Sequence, residues 1–283
     1  MPEPGFFRFR FRVPAHLHAD FSAAVWTKGF LGLHASANGD PERLDCYFRD
    51  AEGPPHGAWM QRGIELLSCA RVVEKDWLEH YRQAAKPFDV AEGYRVDPRE
   101  PGSRTSTHTG RRRLLRIPAR RAFGTGSHES TRLAIELLED IDLKGLRVLD
   151  YGSGSGILAL VSLDRGAHVV VGVDHDLESV FCSRENGRLN GLQPSLAVAT
   201  LDSLDPTESF DVLVVNILPG RILHQMRALA TLVAPGGRLV YSGAMVSQGG
   251  EVAARLLESG LAITERRCEG GWLAVAAVKG GSC

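Results

Sequence analysis

The chain has no C-x-x-C pair, and no two of its five cysteines (Cys46, Cys69, Cys182, Cys268, Cys283) lie within ten residues of each other. That spacing excludes a cysteine metal clamp and argues against a disulfide framework, which points to a reducing compartment. No run of 18 consecutive apolar residues occurs, so a membrane span is not expected. The N-terminus mixes Arg8, Arg10 and Arg12 with phenylalanines and lacks the apolar region of a secretion signal. Charge of one sign is also missing: 33 Lys and Arg against 34 Asp and Glu leave a net charge of −1. No global field therefore recruits nucleic acid or membrane, and any basic recognition must be local. A cytoplasmic protein without a metal is the expectation. The 43% hydrophobic content supports a real core, and 283 residues suggest two domains.

What is present centres on Val148-Leu149-Asp150-Tyr151-Gly152-Ser153-Gly154-Ser155-Gly156, followed after a helix-length gap by Val169-Val170-Val171-Gly172-Val173-Asp174. A buried strand running into a three-glycine turn and a helix, then a second strand ending in an acid, is a nucleotide-handling βαβ unit. Dinucleotide enzymes need G-x-G-x-x-G so that a pyrophosphate can sit on the helix N-terminus. Here Gly152 and Gly154 are followed by Gly156, and the place of the third dinucleotide glycine is taken by Ile157. That spacing suits a ligand without phosphate, such as S-adenosylmethionine. Asp174 at the next strand end is placed to accept from both ribose hydroxyls. A plain strand-to-helix turn is the alternative, and the acid at Asp174 weakens it.

Along the chain, Phe7 to Val13 alternates with period two, as a strand with one buried and one solvated face does. The arginines share the solvated face, which keeps an edge strand soluble. A helix over about 15–28, strand-like pieces around Leu44 to Phe48, a possible helix near 58–68 and Ala70 to Val73 suggest a small α+β sandwich over 1–73. Residues 74–96 read as a connector, and 97–283 as the second domain. From Arg113 onward the pattern is that of a doubly wound sheet. Apolar runs at about 146–151, 168–174, 194–200, 211–217 and 237–243 alternate with helices, as parallel strands buried on both faces require. Two final strands, about 261–268 and 272–279 around Gly270-Gly271, make the sheet mixed at one edge. The expected fold class is thus α/β, a Rossmann-like seven-stranded mixed sheet preceded by a small α+β domain.

Two further stretches complete the candidate site. Ala122-Phe123-Gly124-Thr125-Gly126 leads through Ser127, His128 and Thr131 into a helix marked by Leu133, Leu137 and Ile141. Exposed N–H groups at such a helix start favour a carboxylate, with Ser127 or Ser130 as cap. His128 reads as structural rather than as a base. The second stretch, Val214-Val215-Asn216-Ile217-Leu218-Pro219, ends a strand beside the sheet's switch point. Asn216 there can accept from a target amine, or it can cap the next helix. The arginine run Arg111, Arg112, Arg113, Arg116, Arg120 and Arg121 has few aromatics between its members. It therefore reads as a solvated edge rather than a nucleic-acid strip.

At this point Phe123 to Thr131, Val148 to Leu158, Glu185-Asn186 with Asn190-Gly191, Asn216-Ile217-Leu218, and Pro235 to Leu239 with Ser242-Gly243 resemble the bacterial PrmA family. Asp76-Trp77 and Lys86-Pro87 resemble its connector more weakly. The resemblance implies a ferredoxin-like N-terminal domain that grips large-subunit ribosomal protein eleven, and a Rossmann-like domain that holds S-adenosylmethionine. It implies cofactor contacts from Thr131, Gly152, Asp174 and Asn216, with Phe123 and Gly154 beside them, and Asn216 as the residue that meets the amine. Ser153 departs from the family's usual Cys, and Pro219 from its usual small residue. The expected reaction is methyl transfer to lysine side-chain or N-terminal amines of that ribosomal protein, with no direct nucleic-acid binding required. Two alternatives stay open: a lysine methyltransferase of the same fold with another target, and a non-catalytic ribosome-assembly factor that kept the cofactor pocket. A nicotinamide oxidoreductase is disfavoured by Ile157 and the final strand pair.

Overall fold

A computed structural model describes residues 5–25, 30–35, 42–54, 57–73, 86–99, 112–118, 126–192, 196–199, 205 and 208–280. The chain divides into two compact units, Met1–Gln83 and Ala84–Cys283.

In the first unit, strands β1 (Gly5–Arg12), β2 (Phe30–Ala35), β3 (Arg43–Phe48) and β4 (Glu65–Val73) form an antiparallel sheet in the order β2-β3-β1-β4. Helices α1 (His18–Ala24) and α2 (Gly57–Met60) interleave with them, which is the expected ferredoxin-like order. The strict alternation of β1 decides which face is core. Phe9, Phe11 and Val13 are buried against Leu17, Phe21 and Val25, with the Phe11 and Phe21 rings edge to face at 5.0 Å. Each such fully buried side chain contributes roughly 1.5–3 kcal/mol. On the opposite face Arg10 makes a two-point ion pair with buried Asp45, at 2.6 and 2.7 Å. Arg12 pairs with Glu65 at 2.7 Å, both about half exposed, which is worth at most about 1 kcal/mol.

Three sequence expectations are corrected here. β1 lies between β3 and β4, so its arginine face belongs to an inner strand and not to an edge. The region near 58–68 is helical only over Gly57–Met60, because the chain turns at Gly63 and β4 already begins at Glu65. The first helix is a short 3₁₀ turn followed by α1, and residues 26–29 lie outside the described ones.

The second unit opens with a small sheet, β5 (Phe88–Val90), β6 (Tyr94–Asp97) and β7 (Arg113–Arg116), in that order. Residues 88–96 were expected to be connector, yet they are strand and turn. Buried Val90, Tyr94 and Val96 fasten them, and Asp89 and Arg95 pair at 2.7 Å across the hairpin. Asp76 and Trp77 lie outside the described residues.

The remaining strands are β8 (Arg147–Tyr151), β9 (Val169–Val173), β10 (Leu196–Ala199), β11 (Phe210–Asn216), β12 (Val233–Met245), β13 (Leu261–Glu269) and β14 (Trp272–Lys279). Their order is β10-β9-β8-β11-β12-β14-β13, and all run parallel except β14, which is antiparallel to both of its neighbours, β12 and β13. The helices are α3 (Glu129–Glu139), α4 (Ile157–Asp164), α5 (Leu177–Leu189), α6 (Pro219–Ile222), α7 (Met226–Thr231) and α8 (Gly249–Glu258). Residues 157–163 of α4 are all buried, as a helix apolar on every side must be. One sheet face packs Phe210, Leu213, Leu239 and Tyr241 on Met226 and Leu229 of α7 and on Val252 and Leu256 of α8. Among the described residues, no helix is long and apolar enough to cross a membrane.

The strand order reverses between β8 and β11. After β8 the chain builds outward through β9 and β10, then returns to the other side of β8. The carboxyl ends of β8, β9 and β11 therefore border the crevice where open α/β sheets bind ligands.

Candidate active site

Four segments border that crevice: the glycine turn after β8, the acid after β9, the end of β11 and the start of α3. The turn is left-handed at Gly152 (φ +79°), Gly154 (φ +51°) and Gly156 (φ +79°), a region that side chains with a Cβ rarely adopt. At Gly156 a Cβ would lie 2.2 Å from the Ser183 hydroxyl, so this glycine lets α5 pack directly behind the turn.

Asp174 is buried and tied to the turn. Its Oδ2 accepts from the Gly154 N–H at 2.9 Å and its Oδ1 from the Asp176 N–H at 3.0 Å. An ionised carboxylate has about four acceptor positions, so Asp174 keeps capacity for hydroxyl donors. Asp150 lies at the end of the neighbouring strand. Its Oδ2 accepts from the Ala159 N–H at 3.1 Å, while buried Oδ1 has no partner among the described residues. Burial pushes its pKa up to about 7, opposed by the Ala159 N–H and reinforced by the charge of Asp174.

The unfolded chain loses the Asp150 proton near pH 3.8, whereas the folded protein keeps it to about pH 7. Between those values the native state binds more protons, so this group's contribution to stability falls as pH rises. Asp150→Asn is therefore expected to gain thermal stability over the wild type as pH increases from about 4 to 8. Without cofactor the gain at the upper end is on the order of 10 °C. Melting curves that stay parallel across that range would show that Asp150 does not titrate this way.

On the other side, His128 caps the start of α3. Its Nδ1 accepts from the Ser130 N–H at 3.2 Å and lies 2.9 Å from the Ser130 hydroxyl. The cap is thus His128 and not Ser127 or Ser130, because the imidazole reaches the same N–H that a serine cap would take. Burial lowers the His128 pKa, with Glu129 opposing and Arg132 assisting, and a neutral ring is what an Nδ1 acceptor requires. Its ring stands edge-on to Trp272 at 4.5 Å.

Thr131, one residue after Ser130, is fully buried. Its Oγ1 accepts from the Asn216 amide Nδ2 at 3.2 Å. The cap of α6 is Leu218, with Pro219 at the helix start and no side-chain bond, so Asn216 caps nothing and faces α3 instead. The structure thus brings Thr131 together with Asn216 and Gly154 together with Asp174, while the Gly152 N–H bonds the carbonyl of Val173, the residue before Asp174, at 2.8 Å. Phe123 lies outside the described residues. Sequence reasoning missed Asp150, Trp272, Tyr241 and Ser242 as parts of this arrangement.

Of the arginine run, Arg112 pairs with Asp89 at 3.6 Å and Arg113 with Asp164 at 3.0 Å. Arg111, Arg120 and Arg121 lie outside the described residues. Arg116, the third described member, is exposed and bonds Asn190 through its backbone N–H and carbonyl, both at 2.8 Å.

A profile of the ribosomal protein L11 methyltransferase (PrmA) family matches residues 59–280. The chain belongs to that family. It is 34% identical to a ribosomal protein L11 methyltransferase of Pseudomonas putida over 81% of this chain and 75% of that protein. With the Azotobacter vinelandii protein of the same name it shares 34% identity over 90% of this chain and 83% of the other. The crystal structure of a ribosomal protein L11 methylase from Lactobacillus delbrueckii subsp. bulgaricus superposes with a TM-score of 0.61 at 26% identity. That match covers 69% of this chain and 97% of the other.

This family member is an S-adenosylmethionine-dependent protein methyltransferase. The residues present fit that cofactor. A partnerless buried oxygen on Asp150 and the carboxylate of Asp174 suit a ligand bearing sulfonium and ammonium charge. A turn of three left-handed glycines lets backbone approach it closely.

Proposed function

We propose that this enzyme methylates amines of ribosomal protein L11, on lysine side chains or the N-terminus, with the N-terminal unit holding the ribosomal protein. The observation that carries the amine as acceptor is Asn216, at the end of β11, turned toward Thr131 and free of any capping duty. The names of the relatives support the ribosomal protein as target, and the ferredoxin-like unit is a second domain available to grip it. A ribosomal target suits a cytoplasmic location. On the boundaries, we take residues 1–73 as the recognition domain; the sheet of β5, β6 and β7 belongs with the methyltransferase domain.

When bound, S-adenosylmethionine supplies an electrophilic methyl group on sulfur. The task left to the chain is chiefly positioning, which needs no covalent nucleophile. Asp174 accepts from the ribose hydroxyls with the lone pairs that Gly154 and Asp176 leave free. Gly152 and Gly154 let the turn approach the ligand. Thr131, placed at the positive end of the α3 dipole and able to donate its hydroxyl while its oxygen accepts from Asn216, attends the carboxylate end. Asn216 uses its amide oxygen to accept from the amine while its Nδ2 is held by Thr131. That oxygen cannot take up a proton at working pH, so Asn216 orients and does not act as a base. A lysine with a solution pKa of about 10.4 must reach the site neutral, and desolvation in the crevice favours that form.

The test is transfer of isotope-labelled methyl groups to purified ribosomal protein L11 and, in parallel, to an undermethylated lysate, read by intact mass. Methyl additions on L11 are expected. Label on another protein alone would keep the reaction and discard the substrate. No label anywhere, despite cofactor binding, would mark a binding factor rather than an enzyme.

A further inference from the structure

We propose that the consecutive residues Tyr241-Ser242-Gly243 form a brace that sets where Asn216 presents its amide, making Tyr241 a positioning residue for the amine. The inference rests on the reading of Asn216 given above. Each of the three makes a different contact with the site. Tyr241, fully buried in β12, donates its hydroxyl to the Ile217 carbonyl at 3.1 Å. Ser242 donates its hydroxyl to the Ser130 carbonyl at 2.8 Å. Gly243 has φ +94°, and a Cβ there would lie 3.0 Å from the carbonyl carbon and oxygen of Ile217.

These contacts close a circuit. Ile217 follows Asn216, Asn216 donates to Thr131, Thr131 follows Ser130, and Ser130 is held by Ser242. The circuit is anchored on the sheet because β11 and β12 pair in register up to Asn216 and Ser242. Ile217 falls just beyond that ladder, so its carbonyl has lost its strand partner and needs another. The Tyr241 hydroxyl supplies it. On the far edge of β12 the register with β14 shifts between Ser242 and Ala244, so Gly243 is the bulged residue, and its bare Cα lets β12 press against the Ile217 peptide. A core aromatic alone does not account for this arrangement. Phenylalanine would fill the same space, and only the hydroxyl reaches Ile217.

Tyr241→Phe removes that one oxygen and is expected to lower kcat about tenfold while cofactor Kd changes less than about twofold. In an Asn216→Ala background the same substitution should cost almost nothing further, because the group being positioned is gone. Ser242→Ala should behave alike through the α3 side. Equal losses in both backgrounds, a parallel loss of cofactor affinity and turnover, or unchanged kcat would overturn the brace. Wild-type enzyme that transfers no methyl group would instead overturn the activity. Amide hydrogen exchange then decides the brace by itself: Tyr241→Phe should speed exchange at Ile217 and Leu218 more than at the core amides of β11, and exchange there that is unaltered or rises only in step with the core would reject it.

Discussion

Asp174→Ala is expected to weaken S-adenosylmethionine binding at least about tenfold, measured by calorimetry. Hydrogen bonds to a charged acceptor contribute roughly 1.5–3 kcal/mol each, so losing even one to the ribose reaches that factor. The substitution also releases the Gly154 and Asp176 N–H groups that the carboxylate holds at 2.9 and 3.0 Å. Asp174→Asn separates the two effects. Its amide oxygen can keep one of those backbone bonds while the amide NH2 loses the other, so affinity should fall as the charge and an acceptor go, and the melting temperature of the cofactor-free protein should fall by less than in Asp174→Ala. Unchanged affinity in Asp174→Ala would refute the ribose role.

Asn216→Ala should act on the other half of the reaction. Turnover is expected to drop roughly a hundredfold, the scale seen when one positioning group or about an ångström of alignment is lost. Cofactor affinity should move by less than about threefold, because the remaining contacts of the glycine turn and Asp174 are untouched. Steady-state kinetics together with calorimetry make the comparison. Equal losses in turnover and affinity would recast Asn216 as mainly a cofactor ligand, acting through its 3.2 Å bond to Thr131.

These two residues were legible in the sequence because each ends an apolar run, and the end of a buried parallel strand is a place that the pattern itself defines. Asp174 follows Val169–Val173, and Asn216 closes Phe210–Asn216. The final strand pair was equally plain, since Gly270-Gly271 punctuates two runs of strand length. Other features were hidden for physical reasons. His128 is a poor cap by preference, and it succeeds because burial against Trp272 keeps its ring neutral and fixed. The strands β5 and β6 span three and four residues, too short to show a period. Glu65 to Val73 is a strand without clean alternation, which let its first half read as helix. β12 runs on through Pro235-Gly236-Gly237, residues that usually end a strand, and its register against β11 shifts to accommodate them. Tyr241 reads as one more aromatic in a core strand. Its hydroxyl acquires meaning only when the parallel pairing brings it to Ile217, a contact between residues 24 apart in the chain.

The most direct test of this account is a crystal structure of the enzyme soaked with S-adenosylhomocysteine, the product left after methyl transfer. We expect the ribose hydroxyls on the Asp174 carboxylate, the amino-acid end between the glycine turn and Thr131, and the sulfur facing Asn216. A ligand bound away from the ends of β8, β9 and β11, or seated there with its sulfur turned from Asn216, would contradict it.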